Sequence, residues 1–451
     1  MTTDEQVIAQ LVEANPVRES GPHTAQEQAE AERILRRLLD DAPSRGPRRP
    51  RVGILVPVAS LLVVLVVAAA ILRTGGTATT TGSTPSGGMR ITLQALPSPQ
   101  VPRITAGAMS RTMAIMRARL RMLGLGRGFT VTQSGVSEIV VTGPRARAAE
   151  RERIVRVVGQ TAQLFFYDWE ANVLTPSGKP AADGLITQDT DSVTLSTGGS
   201  AGQPGVPGAG GVPLYEAAKL AAKQPPRPLS ATQSRKGPAY YLFGAPGSAA
   251  CAAAAKAEGT LPARGQHCLL NGPFSNLSDL YVGLPAGVTK ADGELVTVPQ
   301  GTVVLQAANR SASDQVSPTS PNVEFFVLKD NVALTGNAIT NPRPSADQSG
   351  QPDITFGFTG TGRRRFEAVT GQIAHRGANV SLGGQSLDQH FAVALDNQLV
   401  TVPQIDFRQY PDGIVGAGGA DITSGYTRQS AADVATELRL GALPLAIKVL
   451  R

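Results

Sequence analysis

The side chains of this chain that are able to do chemistry are few and scattered. The four histidines, His23, His267, His375 and His390, show none of the spacings that bring two imidazoles onto one metal. No Gly-x-Ser-x-Gly elbow, phosphate-binding loop or His-Glu-x-x-His helix occurs. The glycine run Gly416–Gly419 (GAGG) does not lead straight from a strand into a helix, as a nucleotide-binding loop must. Asp168 and Glu170 stand at the end of an apolar strand, where solvation accounts for them. Met109, Met113 and Met116 recur at helical spacing and read as core, not as a metal box. The chain is therefore read as a non-enzyme, with no catalytic, cofactor-binding or metal-ligating residue. Cys251 and Cys268 are its two cysteines. An even pair in an exported region predicts a disulfide, closing a loop of about 18 residues and contributing ~3 kcal/mol in the chain-entropy model. Neither lies in a Cys-x-x-Cys motif, so redox catalysis is not expected.

Export follows from one apolar run. Gly53–Leu72 (GILVPVASLLVVLVVAAAIL) carries no charge, and roughly 20 apolar residues are what a helix needs to cross a bilayer. Arg45, Arg48, Arg49 and Arg51 precede the run, and only Arg73 follows closely. Such flanks stay cytoplasmic, so the expected topology is a single-pass membrane protein, N-terminus inside and residues 74–451 outside. A signal peptide would have a shorter apolar core nearer the start. The net charge of +7 lies outside the membrane. A basic exported surface suits anionic lipid or wall polymer, and the aromatic-plus-basic pattern of an RNA binder is missing, so no nucleic-acid partner is expected.

The elements that must position any site follow from periodicity. Residues 1–51 form a cytoplasmic arm in which Thr24–Leu39 reads as an amphipathic helix. The membrane helix occupies 52–73, and residues 74–88 are a small, polar tether. In 89–170, strands at Met89–Leu96, Phe129–Gln133, Glu138–Thr142 and Gln163–Tyr167 alternate with helices at Gly107–Leu125 and Arg145–Val158. That βαββαβ order predicts a ferredoxin-like base. Residues 171–322 are rich in Gly and Pro, with Ser196–Pro213 of low complexity, and read as a loosely structured insertion carrying the cysteines. Islands of order are expected at Leu214–Ala222 (helix) and at Tyr240–Phe243, Leu280–Val282 and Leu295–Leu305 (strands). Residues 323–440 form a second α+β unit, with a strand Asp353–Thr359, a helix Gly362–His375, strands around an Asp396-Asn397 turn and a helix Ala431–Leu440. Residues 441–451 supply a final strand that returns to the base.

Several segments, in order, resemble the SecD family, the accessory subunit of the bacterial Sec protein-export channel. Val157–Phe166 (VVGQTAQLFF) is similar to the family's G-x-TAxLxF. The helix Gly107–Leu125 is similar to its R-x-N-x-L-G-V, with Arg119, Leu123 and Gly124 matching and Arg121 in the Asn place. Phe358–Phe366 (FTGTGRRRF), Phe391–Ile405 (FAVALDNQLVTVPQI) and Gly441–Val449 (GALPLAIKV) match further motifs. The family's LDLxGG motif is reduced here to Pro85-Ser86-Gly87-Gly88, and its five later membrane helices would begin where this sequence stops, at Arg451. The resemblance implies an α+β ectodomain, base plus head, that binds exported polypeptides beside or apart from the Sec channel, without its own proton-driven motor. It makes Phe356, Phe358 and Phe366 candidate polypeptide contacts, with core packing as the alternative. A second reading is a cell-envelope binding or sensing module that reuses the fold.

Overall fold

The computed structural model describes residues 88–125, 128–183, 211–258, 265–282, 284–307, 323–381, 387–423 and 425–450. The expected amphipathic helix Thr24–Leu39 and membrane helix Gly53–Leu72 lie outside them. Among the described residues no helix is long and apolar enough to cross a membrane.

The chain begins with β1 (Met89–Leu96), α1 (Ala106–Met122), β2 (Thr130–Ser134), β3 (Glu138–Gly143), α2 (Ala148–Gly159) and β4 (Leu164–Asp168). The Thr105 hydroxyl accepts from the Ala108 N–H and starts α1. Met109, Met113, Met116 and Leu120 of α1 are buried, as are Ile91, Leu93, Ile139 and Val141 on one face of the sheet. The sheet runs β17-β1-β3-β2, all antiparallel, where β17 is Ala446–Leu450. One expectation is corrected here. The βαββαβ unit is not closed by its own last strand: β4 leaves this sheet, and β17, from the far end of the chain, lies beside β1. The reason is burial. All five residues of β4 (LFFYD) are inside, so the strand needs cover on both faces, as a central strand does.

That cover comes from a larger sheet. After a one-turn helix α3 (Trp169–Asn172), the chain forms α4 (Leu214–Ala222), β5 (Ala239–Gly244), α5 (Ala249–Glu258), β6 (Cys268–Phe274), α6 (Leu277–Tyr281), β7 (Gly293–Val298) and β8 (Thr302–Gln306). It continues through β9 (Phe325–Lys329), β10 (Leu334–Thr335), β11 (Ile339–Ala346), β12 (Pro352–Phe358), α7 (Gly360–Val380), β13 (Gln389–Leu395), β14 (Gln398–Thr401), β15 (Gln404–Ile405), β16 (Ala420–Ile422) and α8 (Arg428–Leu440). The central sheet has the order β10-β4-β13-β14-β8-β9, with β15 on β13. One face buries Leu164, Phe166, Phe391 and Val393 against the head; the other buries Phe165, Tyr167, Trp169, Phe326 and Leu328.

The insertion is better built than expected. Strands β6-β5-β7 form a sheet of their own, and α4 seals one side of it with Ala217, Ala218 and Ala221 against Tyr241, Phe243 and Val296. Leu277–Tyr281 is helical where a strand was expected at Leu280–Val282, because Asn276 caps it by accepting from the Asp279 N–H. The single strand expected at Leu295–Leu305 is two, in different sheets. Pro299 and Gly301, the latter at φ +89°, break it as a turn. The Asp330 carboxylate accepts from the backbone N–H groups of Ser234 and Arg235 at 2.9 and 3.0 Å, joining the insertion to the end of β9.

Candidate functional site: a junction of buried charges

The three aromatic candidates lie in the head core. Phe356 and Phe366 are buried, and Phe358 is half-buried. Phe358 stacks on Phe366 with centroids 4.6 Å apart, and Phe356 meets Phe358 edge-on at 5.5 Å. The segment 410–419 lies over them. A Cβ on Gly416 would stand 3.1 Å from the Phe366 ring and 3.2 Å from that of Phe358, and the Ile414 N–H donates to Thr370 Oγ1 at 2.8 Å. In this conformation period-2 alternation in β12 turns Phe356 and Phe358 inward, where they pack with Phe366 of α7. The outer head strand β11 is also closed to strand addition. Pro342 and Pro344 remove donors from it and Asn341 sits at φ +48°, devices that blunt an edge.

Cys251 and Cys268 are joined, with Cα atoms 5.6 Å apart. The bond links the first turn of α5 to the first residue of β6.

The chemistry-bearing side chains that the fold does gather are charges, at two places. Under the head, Asp168 and Glu170 are buried and paired, so solvation does not account for them as expected. Arg376 of α7 donates to both Asp168 oxygens, at 2.8 Å through Nη1 and in a shorter contact through Nη2. Glu170 faces Nδ1 of His390 at 2.6 Å and accepts from the His390 backbone N–H at 2.9 Å. His390 thus has a structural role. These four side chains fix α3 to α7 and β13.

The second cluster joins the lower sheet's helices to α8. Arg119 of α1 is fully buried. Its guanidinium donates to the Val157 carbonyl at 3.1 Å, to the Gln160 carbonyl and to the Gly441 carbonyl at 3.2 Å. It thereby ties together the ends of α1, α2 and α8, where carbonyls lack helical partners. Beside it Glu437 is buried, and both its oxygens lack a hydrogen-bond partner. Burial pushes the Glu437 carboxyl up to about 8, against the attraction of Arg119. Burial equally lowers the Arg119 pKa, which Glu437 and Asp396 oppose. One turn earlier on α8, Asp433 accepts from Nε and Nη2 of Arg153 at 3.0 and 2.6 Å. Asp396, in the turn between β13 and β14, accepts from the Thr161 hydroxyl and from the N–H groups of Ala162 and Gln163 at 2.9 and 2.7 Å.

Arg119 was legible in sequence only as part of a motif, and Asp396 only as a turn residue. Asp433 and Glu437 carried no signal, since acids on an amphipathic helix look solvated. The one available hint was that Asp433 and Glu437 share a face at i, i+4 with apolar neighbours. Among the described residues no group of three or more His, Cys, Asp or Glu is placed to hold a metal. The arrangement holds elements that are distant in sequence in register.

Part of the chain is similar in sequence to known proteins. Residues 311–445 match the family model of the SecDF P1 head subdomain. The SecD protein translocase subunit of Rickettsia typhi is 29% identical over 126 residues, 28% of this chain and 21% of that protein. That of Synechocystis sp. is 34% identical over 129 residues, 28% of this chain and 25% of that protein. The match thus spans about a quarter or less of these relatives' length. A solved structure of SecDF, described as a membrane component that enhances protein export, covers 80% of this chain at 18% identity with a TM-score of 0.36. So loose a superposition adds no weight to the sequence matches. On those matches, this chain carries a SecD-like extracytoplasmic domain.

Proposed function

We propose that the chain is a membrane-anchored SecD-like accessory protein that binds polypeptides emerging outside the membrane, close to the Sec channel. The observation that carries this reading is the head-subdomain match over 311–445. A role related to protein translocation is what the SecD relatives support; the bound polypeptide and the neighbouring channel are the finer proposal. Gly53–Leu72 is its proposed anchor, N-terminus inside. The head is suited to clamping more than to catalysis, because ion pairs and backbone contacts join its elements across long sequence separations. Engagement of Phe356, Phe358 and Phe366 by a polypeptide would require segment 410–419 to move aside.

The test is photo-crosslinking in native membranes from probes placed on the exposed side of segment 410–419, such as at Val415. Crosslinks to exported chains and to Sec channel subunits are expected. Crosslinks confined to other envelope components would replace this reading by the sensing module, which the disulfide-bonded insertion would suit.

A further inference from the structure

The formal charge of the chain is concentrated in one layer. Residues 89–160 hold twelve arginines, no lysine and three acids, Glu138, Glu150 and Glu152. That excess is larger than the +7 of the whole chain, so the remainder is net acidic. The topology then sorts the arginines. β1 starts at Met89, and the registers Arg90↔Thr142 and Thr142↔Thr130 set the end of β3 and the start of β2 beside it. The C-terminus of α1 leads to the start of β2, and α2 begins just after the end of β3. One end of the layer therefore collects Arg90, Arg121, Arg145, Arg147 and Arg151, all exposed. Glu150 and Glu152 are the acids near them. Arg117, Arg119 and Arg153 are instead directed to the Val131 carbonyl, three helix-end carbonyls and Asp433.

Two further features single out this end. Exposed apolar side chains stand among the arginines: Met122 on the last turn of α1, and Leu450, which pairs with Thr92. It is also the end at which β1 begins, and the sixteen residues between Leu72 and Met89 are mostly Gly, Thr and Ser. The platform under the arginines is firm: the Phe129 ring packs on Gly143, and the Thr130 and Thr142 hydroxyls are 2.6 Å apart.

We propose that this arginine-rich end docks on the anionic phospholipid headgroups of the membrane that holds Gly53–Leu72. A guanidinium fork meets a phosphate with two parallel hydrogen bonds, which an ammonium cannot do, and arginine is the only base in residues 89–160. Apolar side chains among basic ones are the composition of a surface that sits at a lipid interface. Docking would fix the height and orientation of the base, so that the head projects away from the bilayer. The inference rests on the reading of Gly53–Leu72 as an anchor.

The test uses the full chain in nanodiscs of neutral phosphatidylcholine, with or without phosphatidylglycerol. A fluorophore is placed on Met122→Cys, or on Val136→Cys at the hairpin that forms the opposite end of the layer, and headgroup-quencher lipids report proximity. Residue 122 should be quenched more strongly in anionic discs, and the gain should vanish in high salt or in the Arg90→Gln/Arg121→Gln/Arg145→Gln/Arg147→Gln variant. Residue 136 should not respond. Equal quenching in both disc types, or an indifferent variant, overturns the proposal. So does arginine-dependent binding to purified anionic wall polymer without any lipid-dependent quenching. If the chain does not insert into discs at all, the anchor reading fails by itself. Co-sedimentation of the chain with vesicles of the same two compositions then decides the docking: a preference for anionic vesicles that drops about fivefold per substituted arginine upholds it, and no preference overturns it.

Discussion

Asp433 and Glu437 stand one turn apart on α8 and face the same two helices of the lower layer, yet they are held in opposite ways. Asp433 receives a two-pronged guanidinium from Arg153, whose side chain keeps some contact with water. Glu437 lies deeper, beside Arg119, but Arg119 directs its N–H groups to three backbone carbonyls and leaves the carboxyl without a hydrogen bond. An opposite charge nearby does not by itself make an ion pair. Ionisation of a buried group needs hydrogen bonds to the charged form, and without them desolvation prevails. The first site is a salt bridge; the second is a cation held through Nη1 and Nη2 by backbone, its Nε without a partner, next to a carboxyl that burial pushes up to about 8.

Replacing Arg119 should break the junction most severely. Arg119→Ala strips the helix-end carbonyls of Val157, Gln160 and Gly441 of a donor and leaves a cavity, at a cost of about 4 kcal/mol. Urea unfolding followed through Trp169, the single tryptophan and fully buried, measures it; a loss under about 1 kcal/mol would show that the carbonyls find other donors.

Glu437 sharpens the contrast through pH. Its carboxyl titrates near 4.5 when unfolded and at about 8 when folded. Between these values the folded chain holds a proton that the unfolded chain has released. Stability from this group is therefore full at low pH, declines as pH rises through that window and levels off above about 8. The total is on the order of 5 kcal/mol. Glu437→Gln should flatten that part of the profile, and an unchanged slope would mean that Glu437 is ionised in the folded protein.

Asp433→Ala should cost less, about 2 kcal/mol, because the Arg153 left behind reaches water. The Arg153→Ala/Asp433→Ala double variant should recover part of that loss in a double-mutant cycle. A purely additive result would place Arg153 outside the pair.

The exposed pair of Lys219 and Glu294, 2.8 Å apart, sets the lower limit. Lys219→Ala should leave the urea midpoint unchanged within error, while a clear shift would give the insertion's surface a structural weight that its exposure argues against.

What the sequence determined by itself was local. Thr105 ahead of an apolar period of three and four set α1, Asp396-Asn397 set a turn in which both residues take positive φ, and Leu214–Ala222 was bounded as a helix by its own pattern. These follow from backbone hydrogen bonds and side-chain spacing within a few residues. The tertiary structure alone decided which strands share a sheet. Gln163–Tyr167 read correctly as a strand yet, as Leu164–Asp168, joined another sheet, and the final strand expected to return to the base took the place beside β1. It also decided which charges are buried. Asp168, Glu170, Asp433 and Glu437 look solvated in one dimension, because a carboxylate's environment is set by what folds over it: Arg376, His390 and Arg153 for the first three, and for Glu437 little beyond apolar packing and a guanidinium already in use.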